Sequence, residues 1–123
     1  MRVLLADDSV LMIERLREML GNFHEVEIVD VCKNGADALI ALRNLNPDLA
    51  IVDLKMPGLT GLQVLTEIRK ENKNLPFILL TFHANDNYRR LAKAAGVNYF
   101  FSKVDDFEKV GQVVDELLNR NVN

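Results

Sequence analysis

The chain has 123 residues, of which 49% are hydrophobic, and its formal net charge is −3. This length fits one domain, and the slightly acidic balance gives no basic footprint for direct nucleic acid binding. No apolar run approaches the ~20 residues of a membrane-spanning helix, and Asp7 and Asp8 come too early for a signal peptide. The single cysteine, Cys32, is expected to be a small, reduced core residue of a cytoplasmic protein.

Short apolar runs alternate with segments of helical periodicity along the chain. Most of the apolar runs are continuous, a pattern typical of strands that are covered on both faces of a parallel sheet. The predicted strands are residues 3–6, 26–31, 49–52, 77–80 and 97–101.

The helical segments between these strands carry start and stop signals. The first helix can end at Gly21, and Asn34 can cap the second. Thr60 begins a capping box before the third helix, and Gly96 can stop the fourth. The last helix is expected to start at Asp105, where the spacing of acidic residues is similar to a capping box.

This alternation predicts a (βα)5 fold with a doubly wound, five-stranded parallel sheet of the flavodoxin-like order 2-1-3-4-5. Such sheets bind ligands beyond the carboxyl ends of their strands, at the point where the strand order reverses. We expect one domain over residues 1–123, with 119–123 as a polar tail or the start of a linker.

Polar side chains follow four of the predicted strands. Asp7 and Asp8 follow the first strand, and Asp53 follows the third. Thr81 and Lys103 follow the fourth and fifth strands. Three carboxylates at one edge of a sheet repel one another unless a cation holds them, and oxygen ligands beside a phosphate favour Mg²⁺ (or Mn²⁺).

A metal ion at this edge would allow a phosphoryl group to approach a carboxylate nucleophile and form an aspartyl phosphate. A hydroxyl and an ammonium could contact the phosphoryl oxygens. Each residue alone has an ordinary interpretation: a helix cap for Asp7 and Asp8, a loop residue for Asp53, a strand-end hydroxyl for Thr81 and a solvated side chain for Lys103. Their convergence at one edge favours the phosphoryl site.

Several stretches together form a specific combination: 3–9, 47–58 with its Asp-x-x-Met-Pro-Gly motif, 94–97 and 100–103, with Gly61 and Thr81. With these motifs, essentially the whole chain resembles the receiver domains of bacterial two-component response regulators, which are CheY-like. The opening and the Lys103–Val104 pair are similar to receivers attached to helix-turn-helix output domains of the NarL/LuxR type.

The resemblance implies a role for each site residue. Asp53 would be the phosphoacceptor, and Lys103 would contact the phosphate. Asp8 would bind the metal ion directly and Asp7 mostly through water, while Asp53 and the backbone carbonyl of Lys55 would complete the protein's ligands.

The resemblance also implies a switch built on Thr81 and Phe100. The hydroxyl of Thr81 would move toward the phosphoryl group, and the ring of Phe100 would turn inward to fill the vacated space. The surface expected to change for a partner protein comprises Tyr88, Arg89, Arg90, Lys93 and Tyr99.

The expected partners are a sensor histidine kinase or a histidine phosphotransfer protein, and a downstream protein or an output domain absent from this sequence. A phosphorylation-dependent homodimer is a further expectation. A chain that continued past Asn123 into a helix-turn-helix would distinguish a receiver with an output domain from a stand-alone receiver. In either case the chain is expected to be a switch rather than a turnover enzyme.

Two residues depart from the family pattern. Phe82 replaces a small residue, and it would either hinder access by the phosphodonor or by water, or point outward as part of the partner surface. Val104 replaces a proline that often follows a cis peptide bond, and the bond is expected to be trans because a cis bond without proline costs ~3 kcal/mol. Lys55 and His83 stand at positions that tune dephosphorylation in the family.

Three other functions compete with this interpretation. A phosphohydrolase of the haloacid-dehalogenase type needs a second aspartate at position 55, where this chain has a lysine. A flavin site after the first strand conflicts with the negative charge of Asp7 and Asp8. A receiver-like interaction module that is never phosphorylated stays open because of Phe82.

Overall fold

A computed structural model describes residues 1–120 of the chain, and it contains five parallel strands alternating with five helices. The sheet order β2-β1-β3-β4-β5 confirms the predicted flavodoxin-like topology. The strands are β1 (Arg2–Ala6), β2 (Glu27–Cys32), β3 (Leu49–Asp53), β4 (Phe77–Thr81) and β5 (Tyr99–Ser102). The helices are α1 (Val10–Leu20), α2 (Gly35–Leu45), α3 (Gly61–Glu71), α4 (Asp86–Ala94) and α5 (Phe107–Arg120).

Two apolar clusters cover the two faces of the sheet, which explains why the strand sequences are continuous apolar runs. Leu4 and Val52 pack beneath α2 and α3, whereas their neighbours Leu5 and Ile51 pack beneath α1 and α5. Successive side chains of a strand point to opposite faces, so a strand that is covered on both sides is apolar at every position. Buried Cys32 belongs to the first cluster, as predicted, and burial followed by the charge of Asp30 raises its thiol pKa to about 12.

Most helix boundaries follow the predicted signals. Asn34 caps α2, and the capping box at Thr60 is present at the start of α3. The prediction that Asp105 starts the last helix is wrong. The hydroxyl of Ser102 accepts the backbone N–H groups of Val104 and Asp105, which holds these residues in a turn before α5.

Strand β5 begins two residues later than predicted because the end of α4 extends into a turn. Gly96 adopts a positive φ of 93°, and the N–H of Val97 returns to the carbonyl of Ala92. The next residue, Asn98, uses its side-chain oxygen to accept the N–H of Phe77 at the start of β4. Residues 97–98 therefore belong to the connection that positions β5.

Strand β2 forms one edge of the sheet, and its outer side carries charge. The exposed carboxylate of Asp30 accepts the N–H of the adjacent Val31 at 2.8 Å. The pairing of β2 with β1 also shifts register opposite Val3 and Leu4. This edge is therefore irregular, and one of its backbone N–H groups is bonded to the side chain of Asp30 in the same strand.

The C-terminal helix extends further than the sequence indicates. Residues Asn119 and Arg120, predicted as part of a polar tail, are the last two residues of α5. The rest of that predicted tail, 121–123, lies outside the described residues. Among the helices in residues 1–120, none has the length and apolar character needed to span a lipid bilayer.

Candidate functional site

The connections that follow β1, β3, β4 and β5 bring four polar side chains into the interior. Asp7, Asp53, Thr81 and Lys103 are between 0% and 7% exposed, although each follows or ends an apolar strand. Asp8 lies beside them and is exposed. The structure thus brings together all five polar residues predicted at this edge of the sheet.

Lys103 lies between two of the carboxylates. Its ammonium nitrogen is 2.7 Å from Oδ2 of Asp7 and 3.4 Å from Oδ2 of Asp53. The backbone N–H of Lys103 also donates to the carbonyl of Thr81 at 2.9 Å, which fixes the β5–α5 connection against the end of β4. Because a buried ammonium needs a partner, these contacts hold the lysine at the centre of the site.

The three carboxylates form a cluster of oxygen ligands. One ligand atom from each of Asp7, Asp8 and Asp53 lies within 4.8 Å of the others. Three ionised carboxylates and one ammonium leave excess negative charge at the site. Oxygen donors of this charge, with exposed Asp8 open to water, suit Mg²⁺, which keeps several water ligands when it binds to proteins.

The environment of Asp53 disfavours its ionised form. Burial and then the nearby charge of Asp7 raise the pKa of Asp53 to about 6, whereas Lys103 and a backbone hydrogen bond from Lys55 act in the opposite direction. The negative charge of Asp7 disfavours the ionised form of Asp53, and the positive charge of a bound divalent cation would favour it.

Two glycines fix the connection between β3 and α3. The N–H of Gly61 donates to the carbonyl of Leu54 at 2.8 Å, and a Cβ atom at Gly61 would overlap the carbonyl oxygen of Asp53. A Cβ atom at Gly35 would overlap the carbonyl group of Leu59. This role of Gly35 was not predicted from the sequence. The sequence feature that could have indicated this role is the position of Gly35 directly after the helix cap Asn34. Gly61 stands in the same position after the helix cap Thr60.

The residues after Thr81 line the outer side of the site. The hydroxyl of Thr81 accepts the backbone N–H of His83 at 2.9 Å. Phe82 is 61% exposed, yet its ring centroid lies 4.9 Å from the ammonium nitrogen of Lys103. The ring therefore faces solvent and also lies next to the site, a position compatible with both alternatives predicted for Phe82. The bond between Lys103 and Val104 is trans, as expected.

The side chain of Lys55 contacts the fourth helix. This side chain is exposed, and its ammonium nitrogen lies 5.4 Å from the ring centroid of Tyr88 on α4. The loop that follows Asp53 therefore contacts the fourth helix through side chains.

Phe100 is already inside the protein. The side chain is 7% exposed and belongs to the core cluster beneath α2 and α3. The guanidinium of Arg89 lies 4.9 Å from the ring centroid, and its Nη1 donates to the carbonyl of Phe100 at 3.2 Å. From the sequence, Arg89 was predicted only as part of a partner surface. Its contact with Phe100 joins residues that are 11 positions apart, so no local sequence pattern indicates it.

Known proteins share both the sequence pattern and this architecture. A family model described as the response regulator receiver domain matches residues 3–115. The chain is 30% identical over 121 residues to the two-component response regulator PhoP of Pseudomonas aeruginosa, covering 98% of this chain and 53% of that protein. It also matches several protein-glutamate methylesterases, of which it covers between 23% and 36%. The chain therefore spans about half or less of the length of these relatives.

Solved structures of similar fold include a DNA-binding response regulator of the LuxR family from Staphylococcus aureus. It has 28% sequence identity and a TM-score of 0.85, with 94% of this chain and 96% of that chain covered. A chain in the CheX-CheY-BeF3-Mg²⁺ complex from Borrelia burgdorferi has 27% identity and a TM-score of 0.84, with 95% and 88% covered. These matches and the site geometry agree that the chain belongs to the response regulator receiver domain family.

Proposed function

We propose that this receiver domain is a signalling switch in which Asp53 accepts a phosphoryl group from a phosphohistidine donor in an Mg²⁺-dependent step. The observation that carries the proposal is the position of buried Asp53, 3.4 Å from the ammonium of Lys103 and within a cluster that includes Asp7 and Asp8. The domain is a switch that changes its own state, not an enzyme that releases a product from an external substrate.

In the transfer step, a carboxylate oxygen of Asp53 attacks phosphorus and the bond from phosphorus to the histidine nitrogen breaks. An Mg²⁺ ion bound by Asp8, Asp53 and the carbonyl of Lys55, and by Asp7 through water, would neutralise charge on the transferring group. Lys103 keeps its contact with Asp7 and turns its remaining donors to a phosphoryl oxygen. The solved CheX-CheY-BeF3-Mg²⁺ complex from Borrelia burgdorferi supports this choice of metal ion.

Phosphorylation adds roughly −1.5 to −2 charge units and new hydrogen-bond acceptors at the end of β3. The hydroxyl of Thr81, which accepts from His83 in this structure, would then donate to a phosphoryl oxygen. That movement is coupled to the ring of Phe100 and changes the face formed by α4 and β5. The residues of this output surface are Tyr88, Arg89, Arg90, Lys93 and Tyr99.

Three side chains near the site set how long the phosphoryl group survives. Phe82 lies over Lys103 and narrows the approach of donors and of water. Exposed His83 can orient an attacking water, and the side chain of Lys55 contacts Tyr88. We therefore expect Phe82 to slow both phosphorylation by small donors and hydrolysis.

The partners follow from this role. A sensor histidine kinase or a histidine phosphotransfer protein in the cytoplasm would supply the phosphoryl group. The names of the PhoP and LuxR-family relatives support transcription regulation, with residues 1–123 as the receiver unit of a longer regulator. The receiver itself would bind a protein or a second copy of itself after phosphorylation, and it would not contact nucleic acid or a membrane.

Intact mass measured after incubation with acetyl phosphate and Mg²⁺ tests the acceptor. The wild type should gain one phosphoryl mass, and the gain should be lost in EDTA and in Asp53→Asn. Asp115→Asn, which changes an exposed aspartate of α5, is the matched control and should behave like the wild type.

Phe82→Ala distinguishes a site to which access is hindered from a site that cannot be phosphorylated. If Phe82 hinders access, this variant should be labelled faster than the wild type. A mass gain that persists in Asp53→Asn would disprove the assigned acceptor. If neither the wild type nor Phe82→Ala gains mass from acetyl phosphate or from a phosphorylated histidine kinase, the proposed switch is wrong.

A further inference from the structure

The ring of Phe100 is held by one side chain from the neighbouring helix. Arg89 contacts it twice, through the guanidinium 4.9 Å from the ring centroid and through a hydrogen bond of 3.2 Å to the Phe100 carbonyl. Arg89 is exposed and Phe100 is only 7% exposed, so the guanidinium lies between the ring and solvent. A ring that turned outward would lose this cover or displace the Arg89 side chain.

The rest of α4 offers little resistance to such a movement. Ala92 is the single buried residue of this helix, and Leu91 is 43% exposed. The next arginine, Arg90, instead donates to the side chain of Asn87 within the same helix. Tyr88 and Ala95 pack against the core from this part of the chain, and Arg89 adds a hydrogen bond and a ring contact that join α4 to β5.

We propose that Arg89 is a positioning residue that holds the Phe100 ring inward before any phosphorylation, and so sets how much of the unphosphorylated receiver already has the ring-inward surface. The guanidinium covers the ring face and fixes the backbone on which the ring turns. The meaning of that surface for signalling rests on the proposed function, but the position of the ring does not.

A cation held over an aromatic ring at an exposed site favours that arrangement by roughly two- to fivefold, and loss of the hydrogen bond adds to this factor. We therefore expect removal of Arg89 to raise the ratio of outward to inward rings by about fivefold or more. Lysine keeps the charge but has no planar guanidinium to stack on the ring, so Arg89→Lys should restore only part of the effect.

Fluorine NMR of unphosphorylated protein with 4-fluorophenylalanine at position 100 tests this inference. The wild type should give mainly a resonance with a small solvent isotope shift, as a buried ring does. Arg89→Ala should move intensity to a solvent-sensitive resonance, and Arg89→Lys should lie between the two. Arg90→Ala, which removes an arginine from the same helix, should leave the fluorine signal as in the wild type.

The same label at Phe77, which is fully buried in β4, reports on the core as a whole. If Arg89→Ala changes the Phe77 signal as much as the Phe100 signal, the arginine stabilises the fold and does not position one ring. An unchanged Phe100 signal in Arg89→Ala would also overturn the proposal.

The rate of labelling by acetyl phosphate links the ring to the switch. Arg89→Ala should be labelled more slowly, in proportion to the fall in the fraction of inward rings that the fluorine spectra give. Absence of labelling in every variant would contradict the proposed function while the NMR result still decides the role of Arg89. Equal labelling with equal fluorine spectra would contradict the role of Arg89 and leave the phosphorylation site intact.

Discussion

Helices α3 and α4 lie on the same face of the sheet, and both follow connections that carry site residues, but they are attached in different ways. Helix α3 buries four residues, Gly61, Val64, Leu65 and Ile68, whereas α4 buries only Ala92. Burial of apolar side chains contributes most of the stability of a surface helix. The third helix is therefore part of the rigid frame, and the fourth is held much more weakly.

The starts of the two helices show the same contrast. Backbone contacts of Gly61 with Leu54 and the close approach to Asp53 fix the start of α3. Helix α4 is joined to its surroundings by side chains, with Tyr88 beside Lys55 and the Arg89 contact described above. This difference in packing between α3 and α4 suits the proposed switch, which needs a fixed acceptor and a surface that can move.

Gly61→Ala should give a large loss of stability, since the added Cβ would overlap the carbonyl oxygen of Asp53, which belongs to a central strand. We expect the free energy of unfolding to fall by about 3 kcal/mol, measured by urea titration. Gly111→Ala in α5 is the control. Its Cβ would meet Met19 at an ordinary 3.5 Å, and it should stabilise the helix by up to ~1 kcal/mol. A Gly61→Ala variant as stable as the wild type would show that α3 is not fixed at its start.

Leucine truncation compares the bodies of the two helices. Leu65→Ala removes a side chain that is 0% exposed in α3 and should cost about 2–4 kcal/mol of unfolding free energy. Leu91→Ala removes one that is 43% exposed in α4 and should cost less than about 1 kcal/mol. Urea titrations of both variants provide the measurement, and equal losses would remove the distinction between frame and mobile helix.

Asp53→Asn should stabilise the metal-free protein at alkaline pH. The pKa of Asp53 in the folded protein is raised to about 6 from 3.8, so its ionised form weakens folding above that pH, and the penalty disappears as pH falls toward 4. We expect a gain of about 1 kcal/mol at pH 8, after the lost Lys103 contact is taken into account, and almost none at pH 4.

Thermal or urea unfolding in EDTA across this pH range measures the effect. Added Mg²⁺ should stabilise the wild type and should have little effect on Asp53→Asn. A gain that grows as the pH falls would have the wrong sign and would contradict the assigned electrostatics.

The smallest expected effect is the coupling between Lys55 and Tyr88. The two groups are 5.4 Å apart on an exposed surface, so a double-mutant cycle with alanine should give an interaction of about 0.5 kcal/mol or less. The cycle is measured by urea unfolding, with Lys55 paired against Tyr99 as the control. A coupling well above 1 kcal/mol would mean that the start of α4 is fixed as firmly as that of α3.

The sequence was sufficient to predict the fold because each strand is an apolar run and each connection places its polar residue at the strand end. The meeting of Asp7, Asp53 and Lys103 follows from that topology alone. What it did not predict are contacts between distant segments, such as Gly35 against the loop before α3 and Arg89 across Phe100. Such contacts depend on the final distance between backbones, and local patterns do not encode that distance.

The edge of the sheet at β2 has a consequence for how copies of the protein can meet. An open, regular edge strand is a template on which a second molecule can extend the sheet, and such growth leads to aggregates that form without control. Here the N–H of Val31 donates to the side chain of Asp30, and the pairing of β2 with β1 shifts register. Extension of the sheet by a second copy at the β2 edge is thus disfavoured, and a regulated association between copies would use another surface of the molecule.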